Sequence, residues 1–434
     1  MQKKRVVITG LGVVAPNGVG VNNFLHAIKN GISGIKHDAE LERLQFSCQI
    51  SGTPEISEEL KRDYFTELEL KNFDASGILY GVIAGMEAWK DAGLSIENNE
   101  NPDWDSGTIF GSGTSGIEKF RESIYKIDDF QTRRLGSTAV AQTMNSGVSA
   151  YLAAKLGLGN QVTTNSSACA TGTESILMGY DRIISGKAKR MLVGSTSDSG
   201  PYIWGGFDAM RVCTFKHNDS PEKGSRPMSA SASGFVPGSG AGALLLEDLE
   251  SALARNATIY VEVLGGNSNS GGQRGDGTMT APNSIAVQKC IVDALRNSDI
   301  NSNEIDTING HLTATIKDGL EIFNWSKALH LPKSNFPHIN SLKSMIGHCL
   351  SASGSIESVA TVLQVYHGFI FPSINCEDLH PEIDTLVERE KIPQQLLQKD
   401  INIAVKASFG FGDVNACVVF KKFNEVAYLR KKRK

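Results

Sequence analysis

One cysteine and two histidines carry the chemistry that this sequence offers. Cys169 stands in Thr163-Thr-Asn-Ser-Ser-Ala-Cys-Ala-Thr-Gly-Thr-Glu-Ser-Ile-Leu-Met-Gly, where small residues deliver a thiol to the start of a helix running to about Gly186. A helix N-terminus presents unpaired backbone N–H groups and a partial positive charge, which lower a thiol pKa and favour the thiolate. Ala168, Ala170 and Gly172 leave the approach open to a large carbonyl substrate. A lone cysteine is more often a packing residue. Two histidines downstream tip the balance: His311 in Asn309-Gly-His-Leu-Thr-Ala-Thr, and His348 in Lys343-Ser-Met-Ile-Gly-His-Cys-Leu-Ser. A cysteine with two such partners is a candidate nucleophile with two proton-handling groups.

The elements that must position these residues alternate in type. Residues 5–14 read as a buried strand, 22–30 as a short amphipathic helix and 73–92 as a longer one. A strand and turn at 107–113 lead into a helix at 117–124, followed by a helix at 147–156 and a strand at 190–194. The stretch 35–69 is charged and reads as irregular. Around 251–258 the chain crosses over and begins again, with a strand at 259–266, a helix at 284–297 and a short strand before His311. Strand–helix alternation predicts a parallel or mixed sheet covered by helices. Gly354-Ser-Ile-Glu-Ser after His348 faintly echoes Gly172-Thr-Glu-Ser-Ile after Cys169.

The cysteine, the two histidines, Lys343 and the closing Ser408-Phe-Gly-Phe-Gly occur in the order and context of the elongating β-ketoacyl-acyl-carrier-protein synthases of the thiolase superfamily, which the chain resembles nearly throughout. The resemblance implies a five-layer α-β-α-β-α fold of two pseudo-equivalent halves, divided here as 1–255 and 256–423, with a basic tail at 424–434. It implies that Cys169 takes an acyl group from acyl-carrier protein, with the backbone N–H groups of Cys169 and Phe411 holding the oxyanion. His311 and His348 would then stabilise the enolate left by decarboxylation of a malonyl thioester. Lys343 would be a buried lysine orienting the histidine, with Glu321 as its partner. Thr313 and Thr315 would hydrogen-bond the phosphopantetheine arm, and Phe409 and Phe411 would border the acyl group, Phe411 as a gate. No metal or bound cofactor is called for. A homodimer is implied, a heterodimer with a related subunit being the variant.

Departures from the family pattern point to a divergent member serving fatty acid, polyene or polyketide-like biosynthesis. Leu312 replaces a glycine, Ile316 a proline, and Asp413 the glycine of a mobile loop. A carboxylate at Asp413 would pin that loop through nearby backbone N–H groups; the alternatives are that it moves into water or onto a partner when the loop opens, or that it is a tolerated surface change.

Two rivals can be weighed. Gly10-Leu-Gly-Val-Val-Ala and Gly111-Ser-Gly-Thr-Ser-Gly fit dinucleotide fingerprints. The first runs into Pro16-Asn-Gly rather than a helix, and the second lacks a strand placing a carboxylate on a ribose. A non-elongating partner subunit of the same fold would lack the nucleophile. The formal charge of −4 over 434 residues excludes a dedicated nucleic-acid binder. Seven scattered cysteines without a C-x-x-C fit a reducing compartment, so the expected location is cytoplasmic, without a membrane span. An acidic carrier protein needs a local basic patch, for which Lys61, Arg62 and Lys71 are candidates.

Overall fold

The computed structural model describes residues 4–71, 73–96 and 100–424. Lys3 and the basic tail from 425 lie outside them. Fifteen strands occur among the described residues: β1 (Val6–Ala15), β2 (Gly18–Val19), β3 (Ile35–His37), β4 (Ile50–Gly52), β5 (Ser106–Ser112), β6 (Val162–Thr163), β7 (Arg190–Ser197), β8 (Gly240–Asp248), β9 (Val261–Ser270), β10 (Thr307–Asn309), β11 (His338–Asn340), β12 (Phe369–Ile370), β13 (Leu397–Gln398), β14 (Ile403–Gly410) and β15 (Val414–Lys422). Two pairs, β3–β4 and β12–β13, form small ribbons, and the others make one sheet.

That sheet is two copies of one topology. The order β1-β8-β7-β5-β6 runs antiparallel, antiparallel, parallel, parallel. The order β9-β15-β14-β10-β11 repeats those relations in the same chain sequence. The copies meet where β1 pairs antiparallel with β9, from Val6–Val263 to Ile8–Val261. Helices Thr171–Ile184 and Ser353–His367 lie between the copies, while Ser76–Asp91 covers one outer face and Ser284–Asn297 the other. Five α-β-α-β-α layers result.

The faint echo between the cysteine and histidine segments marks the two central helices. A Cβ on Gly172 would stand 2.3 Å from the Ser355 nitrogen, and one on Gly354 would stand 2.6 Å from the Thr173 nitrogen. Their backbones touch because neither residue has a side chain. Each helix is entered by a 3-10 turn whose first residue, Ala168 or Leu350, has positive φ.

The fingerprint glycines serve the same purpose. A Cβ on Gly10 or Gly12 would lie 2.0 or 1.9 Å from carbonyl oxygens of Ala88 and Ala84. They let the outer helix sit on β1, and they cradle no phosphate. The stretch read as irregular at 35–69 holds three short helices and the β3–β4 ribbon. Their few-residue lengths leave little periodicity to detect. Among the described residues, no helix is long and apolar enough to cross a membrane.

Candidate active site

The 3-10 turn Ala168–Ala170 places Cys169 at the seam between the halves, 8% exposed. The backbone N–H groups of Phe411 and of Cys169 itself face its sulfur. Gly410 makes this possible, since a Cβ there would crowd the Cys169 nitrogen at 3.0 Å and the Ala170 nitrogen at 3.2 Å. A carbonyl oxygen bound beside the sulfur would find two fixed donors.

His348 Nε2 lies 3.1 Å from Cys169 Sγ. Its Nδ1 accepts the backbone N–H of Leu350 at 3.2 Å and lies 2.9 Å from Ser353 Oγ. A ring nitrogen that accepts an N–H carries no hydrogen itself, so the hydrogen of the neutral ring sits on Nε2 and points at the reacting centre. Burial, with the charges of Lys343 and Lys406, holds the His348 pKa well below its ordinary value. Burial and Lys343 do the same for His311, with His348 and Lys406 adding to the effect. The two rings meet edge to face, 5.4 Å between centroids. Both stay neutral at physiological pH.

The ligand-type atoms of Cys169, His311 and His348 all lie within 4.8 Å of one another. A metal would need a lone pair on His348 Nε2, where Leu350 places the hydrogen instead. The arrangement suits hydrogen-bond donation and does not suit a metal.

The thiol departs from the expected direction. Burial pushes Cys169 up to about 11, although Lys343 and the Phe411 N–H pull the other way. The favourable helix terminus is outweighed because the tertiary fold takes the sulfur out of water.

Lys343 is 1% exposed and donates to the His311 carbonyl at 2.6 Å. Its carboxylate partner is Glu357 at 2.5 Å, not Glu321. Glu321 instead accepts the backbone N–H groups of His311 and Leu312, both at 2.7 Å. Three residues earlier, Asp318 accepts N–H from Thr313 at 2.9 Å, Ala314 at 3.1 Å and Met228 at 2.8 Å. Two carboxylates in the first turn of helix Asp318–Leu329 thus hold the whole His311 loop. Burial raises Asp318 to about 6 and Glu321 to about 7. The loop needs them because Leu312 and Ala314 have positive φ, at 25° and 64°. Strain of this kind costs about 1–3 kcal/mol per residue. Fully burying the Leu312 side chain returns about 1.5–3 kcal/mol, which offsets it.

Cys169, His311 and His348 line a cavity of about 230 Å³ together with Thr313, Thr315, Glu321, Phe409 and Phe411. Thr313 and Thr315 hydroxyls lie 3.1 Å apart. Phe411 packs at 5.9 Å on Phe207, which packs at 5.6 Å on Phe235, and Phe235 stands 5.2 Å from His348. Lys317 is the cation on this cavity's lining, which includes none of Lys61, Arg62 and Lys71. Lys61 is paired with Glu58.

Asp413 lies behind the Phe411 turn and is fully buried, which excludes a surface substitution. Its carboxylate accepts N–H from Asn283 at 2.8 Å and from Gln273 at 3.0 Å. Gly412 donates to the Met279 carbonyl at 2.8 Å. The loop is therefore sewn to residues 271–283. Asp413→Gly would fit the positive φ of 62° without strain but leave two N–H groups without their acceptor. We expect it to free the loop and raise acylation rates for long chains more than for short ones. Equal changes across chain lengths in an acylation series would separate Asp413 from the gate.

The residues that sequence reasoning passed over are Asp318, Glu357 and Lys406. Glu357 and Lys406 were visible as charges within small or apolar runs, as in Ile403-Ala-Val-Lys-Ala, whereas Asp318 follows Lys317 in a charged stretch that gives no such signal.

Comparison with known proteins places this geometry. The β-ketoacyl synthase N-terminal domain matches residues 3–252, and the C-terminal domain matches 260–377. The chain is 34% identical over 429 residues to the chloroplastic 3-oxoacyl-acyl-carrier-protein synthase I of Arabidopsis thaliana, covering 97% of this chain and 87% of that one. It is 32% identical over 434 residues to 3-oxoacyl-acyl-carrier-protein synthase 2 of Vibrio harveyi, covering 98% and 100%. A solved type II polyketide synthase acyl-carrier protein in complex with its ketosynthase, bound to a hexaketide, superposes with a TM-score of 0.85 at 28% identity, covering 97% and 100%. A cysteine at the seam of two repeated halves, with two neutral histidines on the same cavity, is thus found in a chain matched nearly end to end, and the chain belongs to the β-ketoacyl synthase family.

Proposed function

We propose that the protein is an elongating β-ketoacyl-acyl-carrier-protein synthase, an acyltransferase that performs decarboxylative Claisen condensation. The observation that carries this reading is the donor character of His348, whose Nε2–H points at Cys169 while Leu350 occupies Nδ1. In the first half-reaction Cys169 sulfur attacks the acyl thioester of a carrier protein, and the phosphopantetheine thiol leaves with the cysteine's proton. The N–H groups of Cys169 and Phe411 hold the oxyanion. In the second, the bond to the malonyl carboxylate breaks and CO2 departs. The electron pair moves onto the thioester oxygen, where His311 and His348 donate hydrogen bonds. The enolate carbon attacks the acyl-Cys169 carbonyl, and the thiolate that leaves takes up a proton. Lys343 fixes His311 through its carbonyl, Thr313 and Thr315 bind the pantetheine arm, and Phe409 and Phe411 border the acyl chain. Glu321 and Asp413 support the two loops.

Intact-mass spectrometry after incubation with a panel of acyl-carrier proteins tests the reading. An acyl adduct that disappears with CO2 release when malonyl-acyl-carrier protein follows is the expected result. Absence of any adduct across the panel would sink it.

A division of the chain near residue 255 is supported by the repeated strand order and by the break between the two matched domains. Seven free cysteines favour a reducing, cytoplasmic setting. A homodimer is favoured by the sheet edge at β6, where Val162 is exposed, and by helix Ile117–Asp128, which bares Phe120, Ile124 and Ile127. Light scattering should give twice the chain mass, and a monomer at micromolar concentration would contradict it.

A further inference from the structure

Behind His311 lies a group that the reaction as described does not use. Lys406 is fully buried in the middle of β14, in register with Asn309 of β10 and Val418 of β15. Its Nζ lies 2.9 Å from Glu357 Oε2 and donates to the Ala407 carbonyl. Lys343 holds the other oxygen of the same carboxylate at 2.5 Å. Lys343 and Glu357 already neutralise each other, so packing alone has no need of a second ammonium. A buried cation is costly to desolvate, and an apolar residue of similar size would serve a structural site better. Among themselves Lys343, Glu357 and Lys406 therefore carry one positive charge in excess beneath the cavity, and the Glu321 carboxylate, raised to about 7 by burial, compensates it only in part.

We infer that Lys406 is a positioning residue for the decarboxylative half-reaction: it fixes Glu357 against Lys343 and supplies the excess positive charge that offsets the extender's carboxylate and the enolate formed from it. This rests on the condensing reading above. The first half-reaction takes a neutral acyl thioester, and the second brings an anion into the same cavity, so the excess charge favours the second. Charge that is fixed in advance costs no reorganisation when the enolate forms. The same ammonium opposes protonation of both histidines. The titratable groups around those rings are Cys169, Lys343, Lys406, Glu357, Glu321 and Asp318. Of these, Glu321 and Asp318 are engaged with backbone N–H groups of the His311 loop.

Lys406→Met keeps length and removes the charge. Acyl transfer onto Cys169 should fall by less than about threefold, whereas CO2 release from malonyl-acyl-carrier protein should fall by about tenfold or more. The acid limb of decarboxylation should move up by about one pH unit, since the histidines protonate more easily without the neighbouring cation. Lys406→Arg, which keeps the charge, should restore part of the rate and the original limb. Equal losses in both half-reactions with an unmoved limb would make Lys406 structural and overturn the inference. So would failure of both Lys406→Met and Lys406→Gln to fold. Wild-type protein is the control: if it releases no CO2 from the malonyl thioester, the condensing reading has failed, not the role of Lys406 within it.

Discussion

Replacing His311 or His348 by Ala is expected to cut CO2 release and condensation by about 100-fold or more, close to 3 kcal/mol, while self-acylation of Cys169 falls far less. The asymmetry follows from where charge appears. Acylation develops an oxyanion that the N–H groups of Cys169 and Phe411 can hold without either ring. Decarboxylation develops charge on the extender's thioester oxygen, and the ring donors facing the cavity are His311 and His348. Both rings are held neutral by burial and by the nearby lysines, so lowering the pH to about 6.5 should not by itself disable them. The acid limb belongs well below the ordinary histidine range. His348→Asn, which offers an amide N–H in place of the ring, should recover part of the loss. Radiometric CO2 release beside intact-mass acylation checks both halves. Unchanged CO2 release in either alanine variant would remove that histidine from the assignment.

Cys169→Ala should abolish the acyl adduct altogether, because no other cysteine lines the cavity. Alkylation by iodoacetamide should label Cys169 first, since the other six thiols are buried elsewhere. Its pH dependence is the sharper test. A thiol pushed up to about 11 is protonated at neutral pH, so labelling should climb roughly tenfold per pH unit and show no plateau by pH 9. A plateau near pH 7 would mean that the donors facing the sulfur outweigh its burial. Rapid label at Cys213 or Cys349 would refute the assignment outright.

The thiol also shows why one local rule failed. A helix start next to small residues does favour a thiolate, and the sequence contains that signal in Ala168-Cys-Ala. The opposing effect comes from β14 and the Ser353–His367 helix closing over the sulfur, and these lie more than 180 residues away along the chain. Lys343 failed for a related reason. Glu321 was the acid expected to pair with it, but in the fold its oxygens are taken by two backbone N–H groups. Glu357, in a helix of small and apolar residues, reaches the lysine instead. Which carboxylate meets which ammonium depends on how helices are stacked, and spacing along the chain does not encode that.

By itself the sequence determined the alternation of strand and helix, and it singled out a candidate nucleophile, two candidate histidines and the small residues around them. These are local properties: periodicity, residue type and the absence of side chains where backbones approach. Only the tertiary structure decided that the glycine fingerprints are packing contacts, that Asp413 ties two loops together, and that the site rests on a buried cluster of two lysines and one glutamate. Each of these depends on atoms distant in sequence sharing a volume without water, where burial and pairing set the charge. That sharing exists only once the two repeated halves have closed on each other.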